Sequence, residues 1–108
     1  MKIFEVKDKL GLRAITGGAD DDISGCYIGD LMSLAMANLR EGNIWITVQT
    51  NINAVAVSVL KEASCIIIAD GFEPDDAALK KAEEEGLTIF ASKKSVYDLA
   101  KQLGELGI

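Results

Sequence analysis

Apolar residues along this chain recur with two periods, and the change from one to the other marks out its elements. In the first ten residues Ile3, Val6 and Leu10 stand at i, i+3 and i+7, the spacing of a short amphipathic helix, with Gly11 suited to ending it. Residues 12–16 alternate loosely, apolar Leu12 and Ala14 against Arg13, and stop at Gly17-Gly18, which reads as a short strand and a turn. Asp20-Asp21-Asp22 reads as an exposed acidic loop. Residues 23–28 then read as a second strand, in which Gly25 marks a bulge or a point of close approach. Asp30 is placed to cap a helix over residues 31–39, because an aspartate accepts from the free N–H groups of a first helical turn. Gly42-Asn43 breaks the chain after it.

From there the pattern becomes regular. Ile44-Trp45-Ile46-Thr47-Val48, Cys65-Ile66-Ile67-Ile68-Ala69 and Leu87-Thr88-Ile89-Phe90-Ala91 are apolar runs rich in β-branched residues, the signature of strands buried on both faces. Helix patterns over residues 54–63, 75–85 and 95–103 separate and follow them. The last shows Val96, Leu99, Ala100 and Leu103 at helical spacing, and Pro74 and Gly86 bracket the middle one. Strand and helix in strict alternation predict right-handed crossovers and an α/β fold, a mainly parallel sheet flanked by helices. The two N-terminal strands either join an edge of that sheet or form a small flanking one.

Length and composition narrow the function. With 108 residues, 49% hydrophobic and 26% charged, the chain makes one globular domain over residues 1–108. A net charge of −6, with no cluster of Lys or Arg to offset it, argues against binding nucleic acid. No stretch is continuous and apolar enough for a signal peptide or a membrane span, so a cytoplasmic location and no membrane partner are expected. Cys26 and Cys65 lie far apart in apolar strands and read as buried free thiols. The chain has no histidine, which removes the commonest general base, the Ser-His and Cys-His nucleophile pairs and the usual zinc and iron ligands. No metal, cofactor or catalytic constellation is expected, and an enzyme acting through Asp or Lys alone is disfavoured because no acid–base pair stands out.

In a parallel sheet, ligands gather where strand ends lead into helix N-termini. Three loops qualify. Gln49-Thr50-Asn51-Ile52-Asn53 carries amide and hydroxyl groups able to read a polar effector through Thr50, Asn51 and Asn53, or simply to cap the next helix. Asp70-Gly71-Phe72-Glu73 begins with a turn dipeptide. Ser92-Lys93-Lys94-Ser95 sets cations and hydroxyls, Ser92 and Lys93 first among them, beside a helix start, a setting that suits phosphate or an exposed capped loop. Asp20 to Asp22 lack the spacing of a calcium loop, and Gly17-Gly18 lacks the remainder of a phosphate loop. Glu83-Glu84-Glu85 sits against the dipole at a helix end, with Lys80 and Lys81 four residues before Glu84 and Glu85 to offset it.

Order and spacing over the whole chain resemble the DRTGG domain family, most distinctively in Gly25-Cys26-Tyr27-Ile28-Gly29-Asp30-Leu31-Met32-Ser33, Gly42-Asn43-Ile44-Trp45-Ile46-Thr47 and Ala69-Asp70-Gly71-Phe72-Glu73-Pro74. Thr50-Asn51 stands where the family carries Asp-Arg and Ala69-Asp70-Gly71 where it carries Thr-Gly-Gly, so the motif arginine has no counterpart here. The resemblance implies a non-catalytic regulatory module, similar to the DRTGG inserts of CBS-domain pyrophosphatases and to the N-terminal domain of HPr kinase. It implies a homodimer that senses a small phosphorylated or nucleotide-like ligand. The alternative it leaves open is a dimeric protein–protein interaction module without a small ligand, serving a redox or hydrogenase system. Small-residue helix segments, Leu34-Ala35-Met36-Ala37 and Ala77-Ala78-Leu79, permit the close helix approach that pairing needs.

Overall fold

The three apolar runs become the centre of one five-stranded sheet in the computed structural model, which describes residues 1–108. In chain order the elements are α1 (Ile3–Leu10), β1 (Arg13–Thr16), β2 (Gly25–Ile28), α2 (Met32–Asn38), β3 (Asn43–Thr47), α3 (Ile52–Leu60), β4 (Cys65–Ile68), α4 (Asp76–Glu85), β5 (Thr88–Ala91) and α5 (Val96–Glu105). Every residue of β3, β4 and β5 is buried, as an apolar run without alternation requires.

The strand order is β1-β5-β4-β3-β2. β2, β3, β4 and β5 are mutually parallel, and β1 lies antiparallel to β5. The two N-terminal strands therefore do not sit together: they close opposite edges of the same sheet. β1 carries a bulge, with the register shifting between Ala14 and Thr16. The Thr16 hydroxyl mends the gap, donating to the Leu87 carbonyl at 2.6 Å and accepting from the Ile89 N–H at 2.9 Å. Gly25, where the sequence suggested a bulge, pairs in regular register with Asn43; the close approach is real, since a Cβ there would meet the Asn43 side chain at 3.2 Å.

All three crossovers step in the same direction along the sheet, and the right-handed rule then puts their helices on one face. There Ala35 and Leu39, Ala54 and Val55, and Ala78 and Ala82 pack on Trp45, Ile66, Ile68 and Ile89. The opposite face, which no crossover covers, is closed by α1 and α5 through Ile3, Val6, Leu10, Leu99 and Leu103 on Ile44, Ile46, Ile67 and Phe90. Gly11 and Gly86 end α1 and α4 in the left-handed conformation, φ +66° and +68°, as the glycine stops predict.

One predicted cap is corrected. Asp30 does not cap α2, which starts after Leu31 with no side-chain cap. The Asp30 carboxylate reaches across to the end of β3, accepting from the Thr47 hydroxyl at 2.8 Å and the Val48 N–H at 2.9 Å. Thr47 is fully buried, and a buried hydroxyl without a partner is costlier than an exposed, uncapped helix start. The thiols are free. Cys26 and Cys65 flank Ile44 in one cross-strand row, two strand spacings or roughly 9.6 Å apart, beyond disulfide reach. Burial pushes the Cys26 thiol up to about 11 and the Cys65 thiol to about 12.

Candidate functional site

Because β3, β4 and β5 are parallel neighbours, their three exit loops stand side by side at one end of the sheet. The exit from β4 turns through two successive left-handed residues, Asp70 at φ +60° and Gly71 at φ +80°. Glycine takes this conformation freely and aspartate tolerates it better than most residues. The reversal aims two backbone donors at the next loop: the Asp70 N–H bonds the Lys94 carbonyl and the Gly71 N–H the Ser92 carbonyl, each at 2.9 Å. The loops after β4 and β5 are thereby held as one unit. The antiparallel direction of β1 brings a third segment to the same end, since Arg13 pairs with Ala91, the last residue of β5.

Between these segments lies a cleft of about 380 Å³ whose walls include Arg13, Gly71, Phe72, Ser92 and Lys93. Three cations face it, in different states of engagement. Lys94 is tied down, its ammonium donating to the Leu10 carbonyl at 2.8 Å and the Gln102 side-chain oxygen at 3.0 Å. Arg13 pairs with Glu73 on the surface, an arrangement that an incoming anion can contest because exposed pairs are weak. Lys93 is exposed and forms no salt bridge. The Ser92 oxygen accepts from the Lys94 N–H at 3.0 Å, and its own proton remains available to donate. Phe72, 52% exposed, gives the cleft an aromatic wall. The depression thus gathers positive charge and an aromatic ring in a chain of net charge −6, a combination able to take an anionic group joined to a planar ring.

Of the residues singled out from the sequence, Gly71, Ser92 and Lys93 line this cleft, and Asp70 sits beside them. Thr50, Asn51 and Asn53 lie one strand further along. Asn51 caps α3, its side-chain oxygen accepting from the Asn53 and Ala54 N–H groups, and its amide donates to Gln49 at 2.9 Å. The Thr50 carbonyl accepts from the Asp75 N–H at 2.9 Å, which joins this loop to the start of α4. Its polar groups are largely spent on internal bonds. Sequence reading placed Phe72 and Glu73 in a qualifying loop without singling them out, and missed Arg13 altogether. Arg13 precedes the cleft loops by some sixty residues, and only the antiparallel docking of β1 reveals it.

Fold and cleft together define a small α/β module with a ligand-sized depression at the carboxyl ends of its strands. The chain belongs to the DRTGG domain family, whose model matches residues 5–106. Its fold is similar to the crystal structure of the CBS and DRTGG domains of the regulatory region of Clostridium perfringens pyrophosphatase, complexed with the activator diadenosine tetraphosphate. The TM-score is 0.72 at 13% identity, over 94% of this chain and 45% of that one, so the chain spans less than half the length of its structural relative. None of the curated proteins matches it in sequence. No helix is long and apolar enough to cross a membrane.

Proposed function

We propose that this domain is a non-catalytic regulatory module that senses a small phosphorylated or nucleotide-like ligand in the cleft between the β4 and β5 exit loops. The observation that carries this reading is the convergence of Arg13, Lys93 and Ser92 beside the exposed ring of Phe72. Arg13 and Lys93 meet the phosphate oxygens, the Ser92 hydroxyl donates to one of them, and Phe72 covers a base. A ligand longer than the cleft runs past Asp70 along the strand ends toward Thr50, Asn51 and Asn53. The non-catalytic character rests on the raised thiols, which are poor nucleophiles at neutral pH, and on the absence of histidine.

Thermal unfolding against adenine nucleotides, diadenosine polyphosphates, acyl phosphates and nicotinamide cofactors tests the reading. A ligand at a hundred times its Kd stabilises the folded state by about 2.7 kcal/mol, a shift of several degrees for a domain of this size. The shift shrinks in Lys93→Ala and Arg13→Ala. A flat response across the panel removes the ligand from the proposal.

A second reading, a homodimeric interaction module, draws on the opposite edge of the sheet. β2 is an open edge, and Ile28, Leu31, Leu34 and Met36 beside it are 42%, 61%, 51% and 38% exposed. From Gly25 to Leu39 the only charged residue is Asp30, so two copies can meet there without the repulsion that a charge of −6 brings elsewhere. Light scattering on the wild type and on Leu34→Glu decides it: a dimer that the variant splits supports this edge, whereas a wild-type monomer at high micromolar concentration ends the reading.

A further inference from the structure

The sheet's other edge differs in chemistry. β1 has a hydrogen-bonded neighbour on one side only, and no backbone group of residues 13–16 bonds to anything outside the sheet. Its outward N–H and C=O groups are therefore free to pair with another chain, the general liability of an edge strand. The strand is four residues long and bulged, which blunts it against indiscriminate pairing and leaves room for one short segment.

Beside this edge runs a groove of about 370 Å³ between β1 and α4. Ala14, Ile15 and Leu79 give it apolar walls, and Asp76 and Glu83 supply carboxylates. Asp76, Leu79 and Glu83 stand at i, i+3 and i+7 of α4, so they share one helical face. Neither Asp76 nor Glu83 is engaged in a salt bridge, while the helix's lysine pair, Lys81 with Glu85, joins residues outside the groove. The one cation lining the groove, Arg13, is already paired with Glu73.

We infer that this groove and the β1 edge form a docking site for an extended, basic segment of a partner protein, which adds as a sixth strand. Strand addition supplies the main-chain hydrogen bonds, and alternate side chains supply selectivity. Those facing α4 are lysines or arginines that meet Asp76 and Glu83, flanked by small apolar residues that fill the space between Ile15 and Leu79. The same charges turn away a second copy of this chain, because edge-to-edge pairing about a dyad would set acid against acid. The inference is independent of any ligand in the cleft.

The test is an amide-resolved NMR titration of the full chain with an extended peptide of alternating Lys and Val. Matched peptides carry Glu for Lys, or N-methyl groups at alternate backbone nitrogens. The expected result is binding of the Lys peptide alone, with shifts centred on Ala14, Ile15 and α4. Binding should weaken at least tenfold in Asp76→Lys/Glu83→Lys and remain unchanged in Glu105→Lys, a charge reversal away from the groove. Shifts scattered over the acidic surface, equal binding by the N-methylated peptide, equal weakening by Glu105→Lys, or no binding at millimolar peptide would each overturn it. Should the double variant fail to fold, the map on the wild-type protein and the N-methyl comparison decide alone.

Discussion

Gly18 has no room for a side chain: a Cβ there would lie 2.1 Å from the Gly86 carbonyl oxygen, a backbone atom that cannot step aside. Gly18→Ala should cost about 1–3 kcal/mol, the range for overpacking at a close contact, whereas Gly17→Ala, with nothing within 4 Å, should be near neutral. Urea unfolding of the two variants measures the difference. The thiols set a second residue-scale expectation. Both are raised from an ordinary 9.0, to about 11 for Cys26 and about 12 for Cys65, chiefly by burial. The folded protein therefore holds protons that the unfolded chain releases. Their contribution is fully present below pH 9 and is lost as pH rises toward 12. Stability measured from pH 8 upward should fall, and Cys65→Ala should flatten the slope. The sequence foresaw two unpaired cysteines, of which Cys65 is buried and Cys26 only half-buried, but not that Asp30 would serve Thr47 instead of α2. Its capping signal is local and its actual partners are seventeen and eighteen residues away.

Among the elements, legibility followed how far a signal depends on distant contacts. Strands β3, β4 and β5 declare themselves because burial on both faces leaves no charged residue in the run, only β-branched threonines and one asparagine among apolar side chains. The caps Asn51, Asp75 and Ser95 work through N–H groups two or three residues ahead, which a reading of neighbouring residues can find. Asn51→Ala should cost about 1 kcal/mol of stability. Because its oxygen is spent on α3 rather than aimed at the cleft, stabilisation by a ligand short enough to stay within the cleft, such as pyrophosphate, should be preserved, as parallel melts with and without it would reveal. Helix α2 is the weakest element: seven residues, no side-chain cap and a single buried residue, Ala35. Its amides should exchange with solvent faster than those of α3 or α5, which mass spectrometry after brief deuterium labelling can detect.

At the scale of the whole molecule, the sheet order was the least legible feature. The alternation of elements predicts parallel pairing, and the one-directional crossovers then fix which face α2, α3 and α4 cover. Nothing near Arg13 or Gly25 says that β1 and β2 end up four strands apart. That separation gives the domain two edges of different chemistry, one nearly uncharged between Gly25 and Leu39 and one bordered by the carboxylates of α4. It also explains why the cleft was only half visible beforehand. The loops after β4 and β5 are marked by Gly71, Ser92 and Lys93, while the wall contributed by β1 depends on an antiparallel contact with β5.

The ion pair between Arg13 and Glu73 lines both the cleft and the groove beside β1. An anion entering the cleft competes with Glu73 for the guanidinium, and the carboxylate it releases adds negative charge to the groove. If both proposed occupants bind, each should raise the affinity for the other, and by linkage the two enhancements are equal whichever arrives first. Pyrophosphate as the cleft probe should strengthen binding of the Lys-Val peptide a few-fold in calorimetric titrations, and Glu73→Gln should abolish the enhancement while leaving each probe able to bind. A domain with both proposed sites occupied would act as a coincidence detector, with one exposed salt bridge as the contact between its two inputs.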